Sequence, residues 1–201
     1  MAHNEIKINI GCGLSGIPGW VNIDNSPTIL ISRIPLLRRL AKVPAWPRDV
    51  RRLDVLKGLP FADATVQCIY SSHTFEHFTF DESLALSKEC LRVLRPGGVI
   101  RIVVPDLMLI VKEYLADQAP LASHRFLDRL SLGHSFRDIV HPGSNHSQMF
   151  DQRSLVHLLR TAGFTNPEIS SFRQSRIPEI EQIELEVRKG ESLYVEAQRE
   201  S

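Results

Sequence analysis

Cysteine is scarce in this chain of 201 residues. Cys12, Cys68 and Cys90 are odd in number and widely spaced, and they form no C-x-x-C pair. That excludes a disulfide framework and fits a reducing compartment. Net charge is scarce as well: 24 Lys and Arg against 23 Asp and Glu leave +1, so no basic field argues for a nucleic-acid partner. No apolar run reaches the roughly 18 residues that would suggest a bilayer span. No basic stretch leading into an apolar run opens the sequence, so no secretory signal is visible and a cytoplasmic location is expected. Repeats and low-complexity segments are missing too. The rest is ordinary for a soluble globular protein, with 43% hydrophobic and 23% charged residues. The length suits one domain over residues 1–201.

The pattern along the chain alternates between two periods. Ile6-Lys7-Ile8-Asn9-Ile10 reads as a strand ended by Gly11-Cys12-Gly13, and Trp20 to Ile23 as a second strand ending at Asp24. Val50 to Leu53 is expected to be a third strand and Thr65 to Tyr70 a fourth. Asp81 to Leu94 predicts an amphipathic helix, with Leu84, Leu86, Leu91 and Leu94 on its apolar side and Arg95-Pro96-Gly97-Gly98 as its stop. Val99 to Val104 is almost wholly apolar, as expected of a strand covered on both faces. Helices are expected from Pro105 to about Asp117 and from Asp151 to Ala162, and closing strands over 168–172 and 192–198. Strands alternating with helices predict an α/β fold around a largely parallel sheet.

Gly11-Cys12-Gly13-Leu14-Ser15-Gly16 spells G-x-G-x-x-G directly after a strand. Glycines there let backbone approach a ligand at the end of the sheet. A plain tight turn would use the same letters. In a dinucleotide site the acidic residue that takes the ribose lies roughly 20 residues beyond the glycines. Asp24 follows Gly13 by only eleven, and Pro18 and Gly19 interrupt the gap. A long helix cannot fit there, so a pyrophosphate on a helix N-terminus is poorly supported. A carboxylate at a strand end still suits a ribose diol. The spacing keeps the nucleoside and drops the dinucleotide.

A nucleoside without phosphates points to S-adenosylmethionine. INIGCGLSGIPGWVNID, DVLKGLPFADATVQCIYSSHTFEHF, ECLRVLRPGGVIRIVVPDL, NHSQMFDQRSLVHLLRTAGF and SLYVEAQ together resemble the class I S-adenosylmethionine-dependent methyltransferases, in particular a small bacterial branch found with polysaccharide genes. The resemblance covers most of the chain outside residues 25–52 and 118–140. It implies a Rossmann-like fold: a seven-stranded, mostly parallel sheet with helices on both faces and the last strand antiparallel. It also implies a cofactor site. Gly11, Cys12 and Gly13 would run under the methionine end, Asp24 with the adjoining Asn25 would take the ribose, and Asp54 and Val55 would hold adenine. Ser71, Ser72 and His73 would border the sulfonium. Many class I enzymes carry an acidic residue two positions before the first glycine; this chain has Asn9. The expected acceptor is a small molecule, sugar or glycan, with a hydroxyl as the atom methylated. A non-catalytic S-adenosylmethionine-binding regulator of the same fold is the alternative.

His73-Thr74-Phe75-Glu76-His77 also spells H-x-x-E-H. A zinc protease needs both histidines on one helix face and a third ligand farther along. Here the letters follow a strand, and the resembling family uses them without zinc, so no metal is expected. Glu76 and His77 are read as capping and orienting the turn that leads to the helix at Asp81, and His73 as facing the pocket. Residues 133–146 hold His134, His141 and His146 in a segment with little apolar periodicity. Residues 118–147 are expected to build the acceptor side. Transfer to oxygen needs a proton removed, for which histidine suits neutral pH. His146 is the candidate base, the alternative being that it caps or orients the helix beginning near Asp151, and His73 is the second catalytic candidate. His157 is read as structural.

Residues 25–57 carry eight Lys or Arg against two Asp, with Trp46 and several Leu and Ile among them. The basic insert, about 25–52, can be a solvated flap, an attractor for an anionic acceptor, or a weak contact for an anionic membrane surface.

Overall fold

The computed structural model describes residues 5–116 and 146–200. His134, His141 and nearly all of the expected acceptor-side segment lie outside the described residues.

Seven strands carry the fold: β1 (Ile6–Ile10), β2 (Val21–Asp24), β3 (Arg51–Arg52), β4 (Val66–Ser72), β5 (Leu94–Pro105), β6 (Thr165–Ser170) and β7 (Ser192–Gln198). They form one sheet in the order β3-β2-β1-β4-β5-β7-β6. The first five are parallel, and β7 runs antiparallel to both β5 and β6. The expected mostly parallel sheet with a reversed last strand is what forms. Ile8, Ile10, Ile69, Ile100 and Ile102 are fully buried in its middle, which is why these strands read as near-continuous apolar runs. The chain leaves β1 to one side for β2 and to the other for β4. Loops at the carboxyl ends of β1, β2 and β4 therefore diverge around a crevice, the usual ligand position in such sheets.

Helices α1 (Thr28–Ser32) and α2 (Pro35–Leu40) lie within the insert. They are followed by α3 (Phe80–Val93), α4 (Leu107–Leu115), α5 (Gln152–Ala162) and the single turn α6 (Ile180–Ile183). Thr79 caps α3 in a reciprocal capping box with Glu82. Glu76 and His77 do not cap it, contrary to the sequence reading. Asp151 caps α5 through Ser154, and Gly163 at φ 103° ends it. Leu86, Cys90 and Val93 of α3 and Leu155, Leu158 and Leu159 of α5 join the main core. The expected stop at Arg95–Gly98 takes the form of a bulge. Leu94 pairs with Val66 and Val99 with Cys68, so four residues of β5 loop out opposite one of β4.

One residue of the apolar β5 stretch is Arg101, and it is completely buried. Its Nε donates to Glu184 at 2.6 Å and its Nη1 to Glu196 at 3.0 Å. Further donors reach the carbonyls of Ser171 and Gln174. In the acidic stretch before the last strand, Glu179, Glu181, Glu184 and Glu186 alternate with Ile and Leu, a pattern that predicts a connection with one wet side between the last two strands; Glu184 departs from it. It is buried, because its partner sits inside the sheet.

The insert is tied down where it meets the glycine turn. Ile29 and Val50 pack on Cys12, with Trp46 against them, and the Trp46 indole N–H donates to Thr28 Oγ1 at 2.9 Å. Beyond that anchor α2 buries nothing: Leu36, Leu37 and Leu40 are exposed beside Arg38 and Arg39. Among the described residues no helix is long and apolar enough to cross a membrane.

Candidate active site

A cleft of about 660 Å³ opens at the carboxyl ends of β1, β2 and β4. Its first wall is made by backbone. Gly11 and Gly13 both have positive φ, 68° and 53°. The N–H groups of Gly11 and Cys12 both donate to the Ile23 carbonyl, folding the turn back on β2. A Cβ at Gly11 would stand 1.9 Å from Thr74 Oγ1, so glycine is required there by contact as well as by φ. Gly13 donates its N–H to Asp24 Oδ2 at 2.9 Å, and Ser26 donates to Oδ1 at 2.8 Å. The carboxylate is thereby fixed with lone pairs to spare. Burial, then Asp24 and Asp49, pushes the Cys12 thiol up to about 12, so it stays neutral. Asn9 is buried and donates to Asn22 at 3.2 Å.

The second wall follows β4. Ser72, His73, Thr74, His77 and Phe78 line it. His73 has φ 53°, an uncommon conformation for a residue with a side chain and one that clusters at functional sites. Its backbone N–H donates to Val103, its Nε2 lies 2.9 Å from Ser192 Oγ, and its Nδ1 lies 3.4 Å from Glu76 Oε1. Burial foremost, then Arg188, His146 and His77, pushes His73 down to about 3. Burial pushes Glu76 up to about 8. Both shifts disfavour charge: the ring is held toward its neutral form and the acid toward its protonated form. Phe75–His77 is a single 3-10 turn, so His73 and His77 do not share a helix face as a zinc protease requires. His146 stands against His77, with ring centroids 5.2 Å apart and planes at 73°.

The structure gathers most of the sequence-predicted residues. Gly11, Cys12, Gly13, Asp24, Asn25, Val55, Ser72 and His73 all line the cleft. Two do not. The Ser71 hydroxyl is buried and donates to the Ile10 carbonyl at 3.2 Å. The Asp54 carboxylate accepts from the Leu56 N–H at 3.2 Å and pairs with Lys57 at 3.4 Å. Sequence reasoning missed Thr74, Tyr70, Leu53, Phe78 and a third wall of Ile183, Leu185 and Arg188. Ile180, Ile183 and Leu185, apolar within the acidic stretch, were the available signal. A second cleft, also about 660 Å³, lies on the β3 side among Arg33, Arg48, Arg51 and Arg52, away from these groups.

A family model described as a methyltransferase domain matches residues 8–102, the stretch from β1 into β5 that supplies the first two walls. No curated protein matches the chain in sequence. Solved structures do match in fold. An S-adenosylmethionine-dependent methyltransferase of Methanosarcina mazei superposes with a TM-score of 0.58 at 16% identity, covering 100% of this chain and 94% of that one. One of Thermotoga maritima gives 0.54 at 15%, covering 97% and 82%. A Bordetella parapertussis protein described as a possible exported protein gives 0.52 at 17%; the chain is 98% covered but spans only 62% of that protein. Such identities carry the fold, which is that of the class I methyltransferases. With the domain match they support an S-adenosylmethionine-dependent methyltransferase.

Proposed function

We propose that the cleft holds S-adenosylmethionine with its methionine end over Gly11–Gly13 and its ribose on Asp24, and that the protein methylates a hydroxyl of a sugar or glycan acceptor. The observation that carries this reading is the 2.9 Å bond from the Gly13 N–H to Asp24. It sets a fixed carboxylate, able to accept from two vicinal hydroxyls, beside a turn that has no side chain in the way. Ile23, Leu53 and Val55 offer an apolar slot for adenine. Asp54, engaged in its own turn, would contribute backbone there and not its carboxylate.

Bound in this way, the cofactor supplies an electrophilic methyl group on a positively charged sulfur. The protein then has to align an acceptor oxygen with that methyl and keep water out. A hydroxyl that took this methyl would have to give up its proton to a group of the protein or to water. His146 is the proposed recipient. His73, neutral and held between Ser192 and Glu76, suits positioning of the turn better than proton removal. The exposed leucines and arginines of α2 would favour an acceptor that sits at an anionic membrane surface.

Titration calorimetry with S-adenosylmethionine and S-adenosylhomocysteine tests the first step. The native chain is expected to bind both, and Asp24→Ala to lose on the order of 100-fold or more in affinity, since a buried diol would be left unpaired. No binding by the native chain would sink the reading. His146→Ala is expected to keep cofactor affinity and abolish turnover of a hydroxyl acceptor; unchanged turnover removes it as the base. Tight cofactor binding with no transfer to any sugar or glycan would favour the non-catalytic regulator.

A further inference from the structure

Glu76 is only 1% exposed, yet neither carboxylate oxygen accepts a hydrogen bond from the described residues. Burying an acid without donors forfeits its hydration with nothing in return. Such a group in a folded protein calls for a specific explanation, an ion among them. The surroundings supply the rest of a ligand set. One Glu76 oxygen and one ring nitrogen each from His77 and His146 all lie within 4.8 Å of one another. Three donors bound to one zinc-sized ion would lie about 3.4 Å apart, so side-chain rotation alone has to close the gap.

The framework around these donors is already fixed. The N–H groups of Ser147 and Gln148 both donate to the Glu76 carbonyl, at 2.8 and 3.2 Å. The Ser147 hydroxyl donates to the His77 carbonyl at 2.9 Å. Gln148 Nε2 donates to Ser83 Oγ at 2.8 Å. The strand of chain bearing His146 is thus laced to the turn bearing Glu76 and His77. Behind Glu76, His73 Nδ1 faces Oε1 and Ser192 holds the far side of that ring. Metal sites use this outer layer to orient a ligating carboxylate.

We infer that Glu76, His77 and His146 form a site for one divalent transition-metal ion, open toward the cleft through His77, where the ion holds the acceptor hydroxyl. Two imidazoles and one carboxylate suit zinc or cobalt better than magnesium or calcium, which prefer oxygen ligands. Three protein ligands leave a coordination position for the acceptor oxygen. An ion there lowers the hydroxyl pKa, so the proton passes to water and His146 acts as a ligand in place of a base. The role of the ion rests on the methyl-transfer reading; its binding does not.

The test uses the full chain, stripped with a chelator and then titrated with Zn²⁺ against a chromophoric competitor, with Co²⁺ absorption as a signature of nitrogen ligation. One ion per chain is expected, with Mg²⁺ unable to displace it. Glu76→Gln, His77→Ala and His146→Ala should each weaken Zn²⁺ on the order of 100-fold or more, and His77→Asn should repeat the loss without emptying the site of polar atoms. No stoichiometric Zn²⁺, or variants that bind as the native chain does, would overturn the inference. S-adenosylmethionine titrations on the same samples separate the two claims. Cofactor binding without an ion leaves His146 as base and removes the metal. An ion without cofactor binding keeps the metal site and removes its part in methyl transfer.

Discussion

Two clusters of buried charge-bearing side chains sit in this protein, and they are built in opposite ways. Around Arg101 every partner is present: Glu184, Glu196 and two backbone carbonyls receive its donors. Around Glu76 no hydrogen bond from the described residues reaches either oxygen, the ring nitrogen His73 Nδ1 standing 3.4 Å from Oε1. The first cluster joins β5 to β7 and to the segment before α6. The second lines the cleft. A satisfied network specifies packing, whereas an incomplete one at a cleft is where function is expected.

That contrast can be broken by mutation. Arg101→Met is expected to have the largest effect on stability, a loss of about 3–5 kcal/mol in chemical denaturation, because two carboxylates are left buried and uncompensated. Adding Glu184→Gln and Glu196→Gln to it should restore part of the loss. Gly11→Ala should come next, at roughly 3 kcal/mol, from the combined overlap with Thr74 and positive φ. Thr74→Gly in the same chain should relieve the overlap and leave only the backbone strain, read as a partial recovery of melting temperature. Glu76→Gln in metal-free protein should stay within about 1 kcal/mol of the native chain, since no bond is lost. A loss as large as that of Arg101→Met would erase the contrast. Leu36→Ser with Leu40→Ser on exposed α2 should move stability by no more than about 0.5 kcal/mol, while reducing co-sedimentation with anionic vesicles. The thiols sharpen the picture of the glycine wall. With Cys12 and Cys68 pushed up to about 12 by burial, neither should react with a disulfide reagent at pH 8 until the chain unfolds.

How much of this could be read from letters depended on the range of the interaction. The β1 turn and Asp24 are legible because strand, glycines and carboxylate fall within 19 residues, and the bond that joins them spans only eleven. The sheet was legible because strands buried on both faces announce themselves as apolar runs. Arg101 was visible as the odd letter in such a run, but its partners lie 83 and 95 residues away. No local period reports that distance, so the alternation around Glu184 predicts a solvated side chain where the structure buries it. The same holds for Ile183, Leu185 and Arg188, which reach the cleft only after the chain has crossed the sheet. In the H-x-x-E-H stretch the zinc-protease geometry was rightly set aside. His146, 69 residues beyond His77, is the neighbour that gives those letters another use.

The contact between Gly11 and Thr74 constrains motion. The Thr74 hydroxyl reaches the carbonyls of Ile10 and Ser72, so the turn after β1 and the turn after β4 are pressed together with no slack between them. They form one stationary jaw. Among the described residues, a movement that narrows the cleft would come from its opposite wall, Ile183–Arg188, or from the insert, and a substitution that stiffens either should leave the Gly11–Thr74 contact unchanged.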